Sequence, residues 1–117
     1  MAEREVVTTG SAPAAIGPYS QGIRSGGWLF VSGQIPLDPA TGEMVQGGIE
    51  AQVRRVLENL KGILEAGGSG LDRVVRTTVY LSDLDEFPRM NEVYRQYFSE
   101  RPPARSTLGV AALPKGA

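Results

Sequence analysis

The chain is 117 residues long, 41% hydrophobic and 21% charged, ordinary for one globular domain rather than a disordered segment. Its 12 Lys and Arg stand against 13 Asp and Glu with no basic run, so nucleic acid is not an expected partner. Histidine and cysteine are both absent, which removes Ser-His triads, His-based ribonuclease chemistry, disulfides, thiolate nucleophiles and His- or Cys-ligated metals.

Any catalysis must therefore use Arg, Lys, Asp, Glu, Tyr, Ser, Asn, backbone amides and water, and no metal site is expected. No apolar run approaches the ~20 residues of a membrane span. The stretch Met1–Glu5 carries acid and has no apolar centre, so it is not read as a secretory leader. The lack of cysteine fits the cytoplasm.

Glu5 to Thr9 reads as a short strand. Ser11 to Pro18, with Pro13, Gly17 and Pro18, is a loop. Gln21–Arg24 and Trp28–Ser32 flank Ser25-Gly26-Gly27, a tight hairpin connection that needs positive φ. Trp28-Leu29-Phe30-Val31 is apolar on both sides of the pleat, which predicts burial on both faces. Asp38 to Gly42 is turn chemistry, and the acids from Asp38 to Glu43 read as solvated.

From about Gly48 to Ala66 the period is helical, with Ile49, Val53, Val56, Leu57, Leu60, Ile63 and Leu64 in one stripe. Gly67-Gly68 ends this helix, and Gly62 inside it is a weak point of about 1 kcal/mol against Ala. Val74 to Leu81 alternates as a strand. A second helix runs to about Phe98 on Phe87, Met90, Tyr94, Tyr97 and Phe98, starting near Asp85, which is the candidate N-cap, because Pro88 fits only the first turn. Pro102-Pro103 forbids helix, and a strand is expected from Thr107 to Leu113, with Arg105 at its rigid approach.

The order β-β-β-α-β-α-β gives an α+β fold, a mixed sheet with two helices on one face, in a single domain over residues 1–117. Two helices cover one side of such a sheet, yet the strands at Trp28 and Leu108 are apolar on both sides. Other copies of the chain are expected to cover the second side. Leu113 to Ala117 reads as a turn like the first half of a hairpin, so either a returning strand is missing from this sequence or the sheet has one strand fewer.

Four side chains are candidates for chemistry, each with a bland alternative. The planar fork of Arg105 suits a carboxylate ligand, or an internal salt bridge to Asp or Glu. Tyr19 follows a rigid loop, or is a core tyrosine with a satisfied hydroxyl. Ser32, before Gly33, is a site hydroxyl or a turn cap. Asn91, at the edge of the second helix's apolar stripe, has a ligand or a structural hydrogen bond.

Ala14-Ala-Ile-Gly-Pro-Tyr-Ser-Gln21, Val31-Ser-Gly-Gln-Ile-Pro36, Thr77-Thr-Val-Tyr-Leu81, Met90-Asn91 and Pro103-Ala-Arg-Ser106 occur in this order and spacing. Together they resemble the reactive intermediate/imine deaminase A family (Rid or YjgF, also called endoribonuclease L-PSP), from about Thr8 to Lys115. The resemblance implies a chorismate-mutase-like fold and a homotrimer whose sheets form a central barrel, with clefts between subunits. It implies hydrolysis of 2-imino and enamine acids such as 2-aminoacrylate, released by pyridoxal-phosphate enzymes, to 2-keto acids and ammonia. This is the activity of a 2-iminobutanoate/2-iminopropanoate deaminase, and it needs no cofactor. In that frame Arg105 clamps the substrate carboxylate; Tyr19, Ser32 and Asn91 orient substrate or water; Gly33 and the main chain at Thr107 line the cleft. Thr107 departs from the family's frequent Cys. The family's last strand, beyond Gly116, carries a glutamate that positions the attacking water, and no residue up to Ala117 corresponds to it.

Three other readings share these residues. One is a trimer that binds a 2-keto or amino acid without turnover. Another is a ribonuclease or translation inhibitor, which the charge balance and missing histidine disfavour. The last is a chorismate-mutase-type catalyst, since fold does not fix function.

Overall fold

The computed structural model describes residues 3–117. Met1 and Ala2, on which part of the leader reading falls, lie outside the described residues. Three strands come first: β1 (Glu5–Val7), β2 (Gly22–Ser25) and β3 (Trp28–Val31). They pair antiparallel in the order β1-β2-β3, with Val6 opposite Ile23 and Ile23 opposite Phe30. The hairpin between β2 and β3 turns on Gly26 (φ 59°) and Gly27 (φ 81°), both in the region that only glycine adopts without cost.

Helix α1 (Ile49–Ala66) starts after Gly48 and closes where Gly67 donates to the Ile63 carbonyl at 3.0 Å. The left-handed position falls to Gly68 (φ 82°). Gly62 proves to be a packing requirement. A Cβ there would lie 2.9 Å from the Cβ and carbonyl oxygen of Ser11, so glycine lets the 9–13 loop rest on the helix.

Strand β4 (Arg76–Leu81) leads through a 3₁₀ turn (Leu84–Glu86) into α2 (Phe87–Tyr97). The cap differs from expectation. Asp83, not Asp85, is the capping side chain: its Oδ1 accepts from the Asp85 N–H at 2.9 Å and starts the 3₁₀ turn. Glu86 precedes α2 without a side-chain cap, and Pro88 falls in the first turn, where no N–H is needed.

Strand β5 (Ala104–Gly109) runs parallel to β4, with Thr77 opposite Arg105 and Val79 opposite Thr107. The last strand therefore begins three residues before Thr107 and stops before Leu113, and Arg105 lies inside it rather than at its approach. The reason is the ladder. Ala104 N–H, the first donor after Pro103, already bonds the Val75 carbonyl at 3.1 Å, and Val110 N–H closes on Leu81 at 2.9 Å. A 3₁₀ turn (Pro114–Gly116) occupies the Leu113–Ala117 stretch.

The α+β class holds, but the five strands fall into two sheets, β1-β2-β3 and β4-β5, rather than one. Both helices pack on the same side. Leu57, Leu81, Met90, Tyr94 and Phe98 form the larger core, and Val7, Ala12 and Ile63 the smaller. Val93, outside the expected stripe, is buried as well. Burial of β3 on both faces is not found in the single chain. Leu29 and Val31 pack inward, while Trp28 and Phe30 are 57% and 62% exposed because no element among the described residues lies over them.

Where the helices meet, Tyr97 donates to Glu58 Oε2 at 2.7 Å, with the Arg54 guanidinium 6.0 Å from its ring centre. Burial first, then the Glu58 carboxylate, raises the phenol above its ordinary 10.0, against a smaller opposing pull from Arg54. A raised phenol stabilises the fold fully below the unfolded value, and that stabilisation is lost as pH rises through the folded one. Tyr97→Phe should cost about 1 kcal/mol in urea unfolding at neutral pH and lose less stability than the parent in alkaline buffer.

Candidate functional site

Arg105 points from β5 toward the helix side of the sheet. Parallel pairing puts Arg105 and Thr107 on the face of their opposites Thr77 and Val79, which pack toward the helices. Its guanidinium carbon lies 4.6 Å from the centre of the Tyr94 ring and 5.3 Å from that of Phe87. Nη1 donates to Asn91 Oδ1 at 2.8 Å. Phe87, Asn91 and Tyr94 are at i, i+4 and i+7 of α2, one stripe of the helix. Below, Tyr94 Oη and Thr77 Oγ1 share a hydrogen bond at 2.7 Å, which fixes the ring against β4. The ring also packs on Phe98 at 4.7 Å between centres.

No ion pair among the described residues involves Arg105; the cations in them are Arg24, Arg89 and Arg95. The internal salt bridge is thus not what holds this side chain. A guanidinium has five N–H donors, and Asn91 takes one. The cation rests half-buried on two aromatic faces with donor capacity to spare.

The backbone beside it is also open. Ala104 and Val110 N–H point at β4, so by strand alternation the N–H and C=O of Arg105 and Thr107 point to the free edge of β5.

Tyr19, Ser32 and Gly33 lie elsewhere in the chain. Tyr19 is 52% exposed rather than a core tyrosine, and its Oη accepts weakly from the Ile16 N–H at 3.3 Å. Ser32 Oγ donates to the Ser20 carbonyl at 2.6 Å, tying the end of β3 to the Tyr19 loop. A Cβ at Gly33 would meet nothing within 4 Å, so the backbone there is approachable. No hydrogen bond among the described residues joins this group to Arg105 and Asn91 within one chain.

Two further residues hold the loops and were not read as functional. Gln21, 2% exposed, accepts from Thr9 N–H at 2.7 Å and donates to the Thr9, Ala12 and Pro13 carbonyls, which fixes the 9–13 segment. Asn59, fully buried, donates to the Leu37 carbonyl at 3.0 Å and accepts from Arg55 Nε, anchoring the loop after Gly33. Asn59 falls among the apolar positions of α1, which was the available signal. Phe87 and Tyr94 were read only as core, though their spacing from Asn91 was in view. Among the described residues no three His, Cys, Asp or Glu side chains converge as a metal would require.

The chain's α+β arrangement, with two helices on one side, is shared with solved structures of the Rid family. A Yersinia pestis structure of that family superposes with a TM-score of 0.96 at 45% identity, covering 98% of this chain and 92% of the other. The chain belongs to the endoribonuclease L-PSP family, whose description matches residues 9–117. A RutC family protein of Pyrococcus horikoshii is 55% identical over 112 residues, 96% of this chain and 89% of that one. The human 2-iminobutanoate/2-iminopropanoate deaminase is 46% identical over 113 residues, 97% of this chain and 82% of that one. The structure of Escherichia coli TdcF with bound serine superposes with a TM-score of 0.90 at 43% identity, covering 96% of this chain and 90% of that one.

Asn91→Asp should place a carboxylate against Nη1 and occupy the guanidinium. The new charge-assisted pair should stabilise the fold by about 1.5–3 kcal/mol in urea unfolding at neutral pH, with the circular dichroism spectrum unchanged.

Proposed function

We propose that the protein hydrolyses 2-imino acids and their enamine tautomers, 2-aminoacrylate among them, to 2-keto acids and ammonia. The observation that carries this reading is Arg105: a stiffly held guanidinium, with no carboxylate of its own and donors left over beside an open strand edge. The human deaminase and the serine-bound TdcF structure support it, since both concern small molecules with a carboxylate.

Two parallel N–H···O bonds from Arg105 hold the substrate carboxylate and fix the imine carbon beside β5. Thr107 offers its main-chain N–H and C=O at the same edge. The enamine takes a proton on carbon to give an iminium, already a strong electrophile. Water adds to the iminium carbon and loses a proton; the carbinolamine then expels ammonia as the hydroxyl oxygen becomes the keto oxygen. Placing water and moving protons is all the site must do, which is within reach of a site without histidine. Asn91 keeps the clamp aimed.

Tyr19, Ser32 and Gly33 complete the cleft from a neighbouring copy in a homotrimer. The support is the bare outer face of each sheet. Val6, Ile23 and Phe30 make a cross-strand row on one, and Tyr80 lies opposite Leu108 on the other. Exposed apolar rows of this kind mark contact surfaces. One domain per subunit acts as a cytoplasmic enzyme with no cofactor of its own.

Arg105→Ala should cut turnover about a hundredfold or more, because two charge-assisted bonds of about 1.5–3 kcal/mol each are lost. Arg105→Lys should rescue poorly, lacking the fork. The measurement is keto-acid and ammonia release from 2-aminoacrylate made in situ by a dehydratase. Binding of keto acids with no acceleration of that release would instead favour a non-catalytic metabolite binder. Phe30→Lys should leave a folded monomer in sedimentation velocity and abolish turnover together with assembly.

A further inference from the structure

The loop from Ala14 to Tyr19 is held at both ends and closed on itself. At its start Gln21, 2% exposed, donates to the Ala12 and Pro13 carbonyls, and Ala12 is itself buried. At its end Ser32 Oγ donates to the Ser20 carbonyl at 2.6 Å, and Ser32 N–H to the Gln21 carbonyl at 2.9 Å. Between these ties Gly17 takes φ 120°, and Tyr19 N–H donates to the Gly17 carbonyl at 2.9 Å. The Tyr19 ring folds back over Gly17, where a Cβ would lie 4.0 Å from two of its carbons, and its hydroxyl meets the Ile16 N–H at 3.3 Å.

This anchored loop leaves Ile16 84% exposed, more than any other large apolar side chain among the described residues. Val6, Phe30, Tyr80 and Leu108 are exposed in rows on the outer faces of the sheets. Ile16 lies on neither sheet. It sits beside the Tyr19 phenol, on the half of the candidate site that also carries Ser32 and Gly33. Exposed apolar surface on a loop fixed by a rigid scaffold marks a contact.

A 2-imino acid has three parts to be recognised: a carboxylate, an imine carbon and a short carbon chain. Arg105 suits the carboxylate, and polar groups and water suit the imine. The rings of Phe87 and Tyr94 already carry the guanidinium on their faces. On the other half, Tyr19, Ser32 and Gly33 offer a phenol, a hydroxyl and approachable backbone. Ile16 is the large aliphatic side chain of that half, and its chemistry matches a carbon chain.

We propose that Ile16 is a specificity-determining residue. It packs against the carbon chain of the imino acid clamped by Arg105 of a neighbouring copy, and it makes a four-carbon acid a better substrate than a three-carbon one. The inference rests on the proposed hydrolysis of imino acids and goes beyond it in naming the preferred substrate. An ethyl group covers the branched side chain where a methyl group leaves part of it wet. One methylene in an apolar contact separates two substrates by roughly 10- to 200-fold, with the lower end expected at an open loop.

The test compares kcat/KM for the three-carbon enamine made from serine and the four-carbon enamine made from threonine. Each is generated in situ by a dehydratase and followed as keto-acid and ammonia release. The parent should prefer the four-carbon acid about tenfold. Ile16→Ala should bring the two rates to within about twofold of each other, with sedimentation velocity unchanged, and Ile16→Val should keep most of the preference. A parent without the preference, or an Ile16→Ala variant that slows both substrates alike, overturns the proposal. Failure of the deaminase reading looks different: the parent binds pyruvate and 2-oxobutanoate in calorimetry but speeds neither reaction. The ratio of those two affinities then decides the role of Ile16. A preference for 2-oxobutanoate that is lost in Ile16→Ala supports it, and equal affinities in the parent overturn it. A parent that neither binds nor turns over either acid overturns both readings.

Discussion

A cation resting on an aromatic face without a counter-charge is the constraint that organises this chain. The stacking of Arg105 on Tyr94 and Phe87 contributes on the order of 0.5–2 kcal/mol, depending on how dry the site is. It neutralises nothing. An arginine satisfied by aspartate would be an inert piece of the fold, whereas this one stays electrostatically available while its conformational freedom is already spent. Each part of the local structure serves that state. The β4–β5 ladder sets which face the side chain takes, α2 supplies the platform and the asparagine, and the Thr77–Tyr94 bond ties the platform back to the ladder.

The rest of the molecule divides by side of the sheets. Toward the helices lie the two cores and the guanidinium. Away from them lie Trp28, Phe30, Tyr80 and Leu108, all exposed. The loops between are held by uncharged polar residues deep in the structure, Gln21 under the 9–13 segment and Asn59 under Leu37. Buried amides with every bond made give a loop one conformation without the desolvation penalty of a buried ion.

Much of this was legible in the sequence. Helix periodicity gave α1 and α2 nearly to their ends, glycine pairs gave the β2–β3 hairpin, and Arg105, Asn91 and Ser32 stood out as residues in want of a partner. What was not legible depends on chain segments far apart. The start of β5 at Ala104 is decided by the Val75 carbonyl, roughly thirty residues away in sequence, and no local pattern reports that. The separation into two sheets reflects which strand edges meet. Gly62 looked like a flaw because Ser11, which needs the space, lies in another part of the chain. Tyr94 was hidden by its own hydrophobicity: an aromatic on a core stripe looks the same whether or not a cation lies on it.

The parallel ladder has a consequence for how this chain can change length. Side chains in a strand alternate sides, so the direction of Arg105 is a matter of odd and even. One residue gained or lost between Pro103 and Arg105 would swing the guanidinium to the bare side, away from Tyr94 and Asn91, whereas a gain of two would restore it. Ahead of the prolines, the turn after α2, where Arg101 takes φ 45°, can absorb a residue without touching that parity. Length variants of this protein should accordingly collect before Pro102 and be missing between Pro103 and Gly109.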